Sequence, residues 1–125
     1  MSTKLHDFAH QAILNVGLTP RTLTASVNGP SGDLLAGDGR CFAVQTVGTL
    51  AGTSPSLAGK IQESADGSTW ADVSGATFTT VTANDNVQAI TFDRTQRYVR
   101  YVGTVAGTSP SVPVAVIISE QRKQQ

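Results

Sequence analysis

The chain has 125 residues, and its 9 Lys and Arg side chains balance its 9 Asp and Glu side chains, so the formal net charge is zero. This length predicts one domain with a sizeable core, and the zero net charge gives no overall attraction to nucleic acid or to acidic membranes. Charged residues make up 14% of the chain, well below the about 25% of an average globular domain, and the single cysteine excludes an internal disulfide.

Residues 1–17 carry the pattern of an amphipathic helix. Their apolar positions recur at intervals of three and four, and these positions are Leu5, Phe8, Ala9, Ala12, Ile13 and Val16. Gly17 can end such a helix, and Pro20 stops any continuation. We therefore predict a short N-terminal helical arm over residues 1–20, whose apolar stripe packs on the chain's own sheet or docks on another chain.

Two pairs of residues raise the question of a metal site. His6 and His10 lie one helical turn apart, but no third ligand is placed beside them. Asp33 and Asp38 follow glycines, but the ladder of Asp and Asn with a closing Glu that holds calcium is missing. We predict no metal ion and no cofactor, with both histidines on a solvated or interface face and both aspartates in turns.

From residue 21 onward the sequence alternates as β-strands do. Predicted strands cover residues 21–27, 33–35, 41–49, 57–64, 69–73, 77–82, 87–92, 97–104 and 112–119, with Gly37-Asp38-Gly39 as a turn and Asp66-Gly67 as the strongest hairpin signal. Residues 112–119 are nearly all aliphatic, which predicts a strand buried on both faces or covered by a neighbour. The pattern predicts an all-β, antiparallel β-sandwich over residues 21–120, Greek-key or jelly-roll-like with about eight strands, and a polar tail over residues 121–125.

One sequence segment occurs twice. Residues 47–57 (VGTLAGTSPSL) recur as residues 102–112 (VGTVAGTSPSV), and the two copies differ only by two aliphatic exchanges. The central Ala-Gly-Thr-Ser-Pro-Ser is rich in turn-forming residues. Each copy therefore predicts a β-hairpin with a loop of roughly four to six residues, and the two hairpins are expected to be related by a pseudo-two-fold axis.

Three arginines and three aromatic residues are candidates for contacts with other molecules. Arg94, Arg97 and Arg100 form a small basic cluster in the sequence, which predicts either solvated rim charges with salt partners or an interface with an acidic neighbour. Trp70 is predicted to anchor the core or a sheet edge. If Trp70, Tyr98 or Tyr101 instead lay exposed in a groove, the alternative would be a sugar-stacking platform.

Sequence motifs of known enzyme chemistry are missing. The chain has no Gly-rich phosphate loop and no G-x-S-x-G elbow. Its carboxylates are scattered over turns and strands, and no spacing marks a pair for acid–base catalysis. We therefore predict that the protein is not an enzyme.

The middle of the chain resembles a group of small virion proteins of tailed bacteriophages. The run from Lys60 to Phe78 reads KIQESADGSTWADVSGATF, and the strand Arg97-Tyr98-Val99-Arg100 follows it. The resemblance extends over roughly residues 22–122 and is a pattern of turns and strands. It implies a capsid-decorating or other head structural protein, and it brings no catalytic residues. The N-terminal segment is not part of the shared pattern.

The resemblance leads to a specific expectation. The chain is expected to be a capsid decoration or stabilisation protein that binds the major capsid protein or other virion subunits in the assembled phage head. It would be made in the host cytoplasm and form a homo-oligomer, for which a trimer is one option, without binding nucleic acid or membrane. The interface candidates are Leu5, Phe8, Ile13, Val16, Arg94, Arg97 and Arg100. The alternatives are a tail or head-tail connector component, and a carbohydrate-binding β-sandwich module.

Overall fold

The computed structural model describes residues 12–34 and 37–122, and every regular element in that part of the chain is a β-strand. The strands are β1 (Ala12–Leu23), β2 (Val27–Asn28), β3 (Gly32–Asp33), β4 (Gly37–Val47), β5 (Ala51–Ser64), β6 (Ala71–Thr77), β7 (Asn86–Asp93) and β8 (Tyr98–Arg122). They form one antiparallel sheet that curls into a nearly barrel-shaped body. Within the described ranges no helix is long and apolar enough to cross a membrane. The predicted all-β antiparallel class is confirmed, while the Greek-key or jelly-roll sandwich stays a prediction.

β8 is the strand on which the sheet is built. β1, β2 and β3 follow one another along one edge of β8, and β4 and β5 follow one another along its other edge. β7 pairs with the outer edge of β4, and β6 pairs with the outer edge of β5. We call half-sheet A the part formed by β1, β4, β7 and residues 112–122 of β8. Half-sheet B is the part formed by β2, β3, β5, β6 and residues 98–111 of β8.

The long ribbon of β4 and β5 against β8 folds back on itself. Gln45 pairs in register with Val116, and Ile61 pairs with Tyr101. A straight ribbon would place these two pairs about 50 Å apart, because a strand rises about 3.3 Å per residue. The Tyr101 hydroxyl nevertheless donates a hydrogen bond of 2.6 Å to Gln45 Oε1. The two half-sheets therefore face each other, and their inner side chains form the core.

The core is mainly aliphatic, as expected for strands whose inner faces meet. The side chains that are no more than 1% exposed include Leu18, Leu34, Val47, Leu57, Ile61, Val99, Tyr101, Val112, Val116 and Ile118. The Phe78 ring meets the Tyr101 ring edge-on at a centroid distance of 6.2 Å. Gly59 lies against the Gln45–Tyr101 hydrogen bond, where a Cβ atom would collide with both side chains. Cys41 is also buried.

The two repeat copies pair with each other at the bend of the ribbon. Thr53 pairs with Thr108, and the pairs Ala51–Ser111 and Ser56–Ala106 lie symmetrically on either side. Gly52 and Gly107 have φ angles of 104° and 117°, and Ser54 and Ser109 have φ angles of 50° and 48°. These matched left-handed residues coincide with register shifts, so each copy is a bulged strand segment.

The prediction that each copy forms a hairpin loop is therefore wrong. The Gly and Ser residues bend a continuous strand and do not reverse it, because the partner of each copy is the other copy and not its own flanking residues. The expected pseudo-two-fold relation is present in a different form, since an approximate axis passes between Thr53 and Thr108.

The N-terminal helix is not found where the structure describes the chain. Residues 12–17 lie in β1, where Ala12 pairs with Gln121 and Val16 pairs with Ile117, so the helix prediction is wrong for this part. β-branched Ile13 and Val16 suit a strand, and β1 pairs with the edge of β8 opposite β4. Residues 1–11, with Leu5, Phe8 and both histidines, lie outside the described residues.

Most of the other predicted strands are found with shifted bounds. The strand predicted over residues 77–82 is wrong, because β6 ends at Thr77 and Val81 makes only an isolated bridge with Leu57. The Asp66-Gly67 turn is confirmed, since it connects β5 to β6 and Gly67 has a φ of 79°. The turn predicted over residues 37–39 is wrong, because β4 already begins at Gly37. The register of β4 shifts between Gly37 and Cys41, which indicates a bulge where the sequence suggests a turn.

The bend requires glycine at residues 52 and 107, because both have a positive φ and lie close to backbone atoms of the other copy. Alanine substitutions test this requirement. A Cβ at residue 107 would lie 2.7 Å from the Ser54 carbonyl oxygen, and a Cβ at residue 52 would lie 2.5 Å from that of Ser109. We expect Gly107→Ala and Gly52→Ala each to lower the free energy of unfolding by about 3 kcal/mol, from backbone strain plus crowding. Urea unfolding followed by circular dichroism measures this loss.

Gly67→Ala is the matched control for this prediction. Gly67 also has a positive φ, but a Cβ added there would have nothing within 4 Å, so we expect a loss of only about 1 kcal/mol. Equal losses at Gly67 and Gly107 would show that the two ribbon strands do not approach each other closely at the bend.

Burial of the Tyr101 phenol predicts a loss of stability in alkali. Burial raises the pKa of Tyr101 above its ordinary value, because a phenolate is poorly solvated in the core. The unfolded chain therefore releases this proton first, and the free energy of unfolding falls as the pH rises above about 10. Urea midpoints at pH 8 and pH 11 should drop less in Tyr101→Phe than in the wild type or in the half-buried control Tyr98→Phe. An equal drop in all three proteins would contradict this assignment.

Candidate interaction surface

The three arginines of the predicted cluster have three different environments. Arg94 is turned inward, with its side chain 10% exposed, and pairs with the fully buried Glu120 carboxylate. Its Nε lies 2.5 Å from Glu120 Oε2, and its Nη2 lies 3.1 Å from Oε1. Arg94 also donates to the carbonyl oxygens of Leu34 and Gln96. This side chain therefore joins the loop between β7 and β8 to the end of β8.

Arg97 and Arg100 lie on half-sheet B and have partners within the chain. Arg97 donates two hydrogen bonds to the Asp33 carboxylate, at 2.9 and 2.7 Å, and these raise the pKa of Arg97. Arg100 donates to Gln62 Oε1 at 3.0 and 2.8 Å. The structure thus does not bring the three arginines together as one basic patch, and their roles as interface residues stay predictions.

The aromatic residues that would form a sugar platform are buried or covered. Tyr101 is completely buried. The Arg100 guanidinium lies 4.4 Å from the centroid of the half-buried Trp70 ring, and that of Arg97 lies 5.1 Å from the centroid of the Tyr98 ring. These cation–π contacts occupy a ring face that a sugar would need.

Asp66 and Asp72 of half-sheet B accept hydrogen bonds from groups of the same chain. Asp66 accepts hydrogen bonds from the backbone N–H groups of Thr69 and Ser68, which lower its pKa. Hydrogen bonds from Gln62 and Lys60 lower the pKa of Asp72. Among the residues that the structure describes, no three His, Cys, Asp or Glu side chains come together as metal ligands.

The outer face of half-sheet A has a different chemistry, and we call it the neutral face. Its side chains alternate with the buried ones along four paired strands. The neutral face consists of Val16, Phe42, Val44, Thr46, Val87, Ala89, Thr91, Ala115 and Ile117. None of these side chains carries a charge, and Val16, Val87 and Ile117 are 52%, 67% and 50% exposed. Exposed apolar side chains that adjoin one another mark interaction surfaces more often than isolated ones do.

The centre of the neutral face is one apolar row that crosses all four strands. Val16 pairs with Ile117, Ile117 with Val44, and Val44 with Ala89. The exposed ion pair between Arg40 and Asp93, at 3.1 Å, borders the face at one end.

At the other end the neutral face continues into a shallow groove of ≈ 290 Å³. Its lining residues include Pro20, Thr46, Gly48, Pro113 and Ala115, together with one charged side chain, Arg21. An apolar centre with charges at its border is the usual composition of a protein–protein interface.

Only parts of the neutral face are visible in the sequence. Val16 is one of the interface candidates, and the aliphatic run 112–119 predicts a strand buried on both faces or covered by a neighbour. The structure buries its inward side chains and leaves Ile117 half exposed. The strand pairing was the missing information, because it places residues from four separated segments in one row.

Comparison with known proteins finds a likeness in fold and none in sequence family. No family model matches the sequence, and no curated protein matches it. The fold is similar to the crystal structure of the PBSX exported protein XepA, with a TM-score of 0.60 and 17% sequence identity. The match covers 90% of this chain and 38% of the XepA chain, so this chain spans less than half the length of XepA.

The buried ion pair predicts a large difference between two arginine substitutions. Arg94→Met leaves the fully buried Glu120 carboxylate without its main counter-charge, and we expect a loss of about 3–5 kcal/mol in the free energy of unfolding. Arg97→Met removes a pair whose side chains are both 44% exposed, and we expect a much smaller loss, because water screens an exposed pair. Urea unfolding of both variants measures the difference, and similar losses would contradict the assigned burial of Arg94.

Proposed function

We propose that this chain is a structural component of a phage particle, and that it attaches to the assembled head and stabilises the shell by protein–protein contacts. The observation that carries the proposal is the neutral face, because four paired strands present an uncharged and largely apolar surface outward. In this function the protein transforms no substrate, and the energy of burying apolar surface holds it in place.

Two likenesses support an association with phage particles. The fold is shared with XepA, a phage protein, and residues 60–78 resemble small virion proteins of tailed phages. The resemblance favours the head over the alternative of a tail or connector component. The carbohydrate-binding alternative is less well supported, because arginines cover ring faces of Trp70 and Tyr98.

Binding to purified particles tests the proposal directly. The purified protein is mixed with expanded empty heads, and separately with tails, of the phage whose genome encodes the chain, and the particles are sedimented. We expect it to sediment with heads, to saturate at a fixed ratio to the major capsid protein, and to raise the temperature at which the heads break open. Binding to tails alone would favour the connector or tail alternative, and binding to neither would contradict a role in the particle.

Tryptophan fluorescence separates the carbohydrate alternative in a single titration. Trp70 is the sole tryptophan of the chain, and Arg100 lies against its ring. We expect its emission to stay unchanged when oligosaccharides are added. A saturable change would identify the ring as a sugar site and contradict the proposal.

A further inference from the structure

We propose that the neutral face is the surface that docks on the phage shell, that its occupant is an extended apolar surface of a shell subunit, and that half-sheet B faces solvent in the particle. This inference rests on the proposed function and adds to it the contact surface and the orientation of the protein. Four observations on the described residues carry it.

The first observation is the composition of the face. Its centre is the row of Val16, Ile117, Val44 and Ala89, and the nearest charges on β4 and β7 are the Arg40–Asp93 pair at its end. Covering this centre removes apolar surface from water at about 25 cal/mol per Å² and buries no charged side chain of the row, while Arg21 lies beyond the row in the wall of the groove. An uncharged face therefore fits a partner surface that is also uncharged and apolar.

The second observation is the area, which argues against a second copy as the occupant. The face is four strands wide, at about 4.8 Å per strand, and about six residues long, at about 3.3 Å per residue. Its area is therefore about 400 Å². A symmetric dimer on this face would bury about 800 Å² in total, and stable complexes bury about 1,200–2,000 Å². A larger partner can extend beyond the face and fill the groove beside Pro20 and Pro113 as well.

The third observation is the contrast with half-sheet B. Four of its outward charges form ion pairs within the chain, Lys60 with Asp72 at 3.1 Å and Arg97 with Asp33 at 2.7 Å. Burying these ion pairs under a partner would remove their hydration without a new counter-charge. Half-sheet B is therefore suited to solvent, and the protein has one face for the shell and one for water.

The fourth observation is that β8 contributes to both outer faces. Ile117 belongs to the neutral face, and the exposed Thr104 lies on the same strand in half-sheet B. The same substitution can therefore be placed on either face of one strand, which provides a matched pair of variants.

Lysine substitutions test the docking face. Ile117→Lys adds a charge to the centre of the neutral face, and its half-exposed position lets the ammonium reach water in the free protein. We expect it to weaken binding to expanded heads at least tenfold, whereas Thr104→Lys should stay within about twofold of the wild type. Thermal unfolding checks that both variants fold. If Ile117→Lys does not fold, Val87→Lys replaces it, because Val87 is 67% exposed on β7.

Thiol labelling tests the orientation independently of affinity. Ile117→Cys and Thr104→Cys are each treated with a maleimide before and after head binding, and the buried Cys41 is the background. We expect binding to protect residue 117 and to leave residue 104 reactive. Protection of residue 104 alone would overturn the assigned orientation.

The outcomes distinguish this inference from the proposed function. If the wild type binds heads and Ile117→Lys binds equally well, the docking face is wrong and the function stands. If the wild type does not bind, the function itself fails.

Two further outcomes would identify a different occupant of the neutral face. If Ile117→Lys converts an oligomer into a monomer in sedimentation, a second copy occupies the face. If residue 117 is protected in a monomeric free protein, another part of the same chain covers it. Either of these last two results overturns the proposal.

Discussion

The backbone pairing between the two repeat copies is the constraint on which the rest of the structure depends. It holds β5 against β8 at the point where the ribbon bends, with Thr53 opposite Thr108. Without this bend the inner faces of the half-sheets would not meet, and the contact between Gln45 and Tyr101 could not form. The remaining strands then extend the ribbon at its edges, because each needs a hydrogen-bonding partner and a covered inner face.

The distribution of charge follows from this arrangement. The Arg94–Glu120 pair is buried near the end of β8. Two pairs lie on the outside of half-sheet B, and the Arg40–Asp93 pair lies at the border of the neutral face. With few charged residues in the chain, this leaves the centre of the outer side of half-sheet A with neutral side chains, while Arg21, Arg40 and Asp93 lie at its borders. A surface of this kind is suited to lasting contact with another protein, and it has little use in binding a charged small molecule.

The sequence predicts local structure well where one turn determines it and poorly where the partner strand does. The Asp66-Gly67 hairpin and the alternating strand 41–47 are found as expected, because their signals lie within a few residues. The repeat looked like two hairpin loops, since the same Gly and Ser residues serve in turns and in bulges. Only the register shows that residue 51 pairs with residue 111.

The same limit applies to the site. Arg94, Arg97 and Arg100 are close in sequence, but their partners Glu120, Asp33 and Gln62 lie on other segments, so the apparent cluster separates in space. Conversely, the members of the neutral face are far apart in sequence and become neighbours only through strand pairing. Segment 12–17 fits a helical spacing, and its pairing with β8 overrides that preference.

The near-identity of the two paired segments has a consequence for assembly. A strand that pairs with a copy of itself carries no information that distinguishes the copy in its own chain from the copy in a neighbouring molecule. Tethering within one chain gives an effective concentration in the millimolar range, which favours the closed arrangement in dilute solution. Where many molecules are held side by side, the concentration of neighbouring copies approaches this effective concentration. Exchange of the segment between neighbours, by domain swapping, can then link the molecules through the same strand pairing that closes each one.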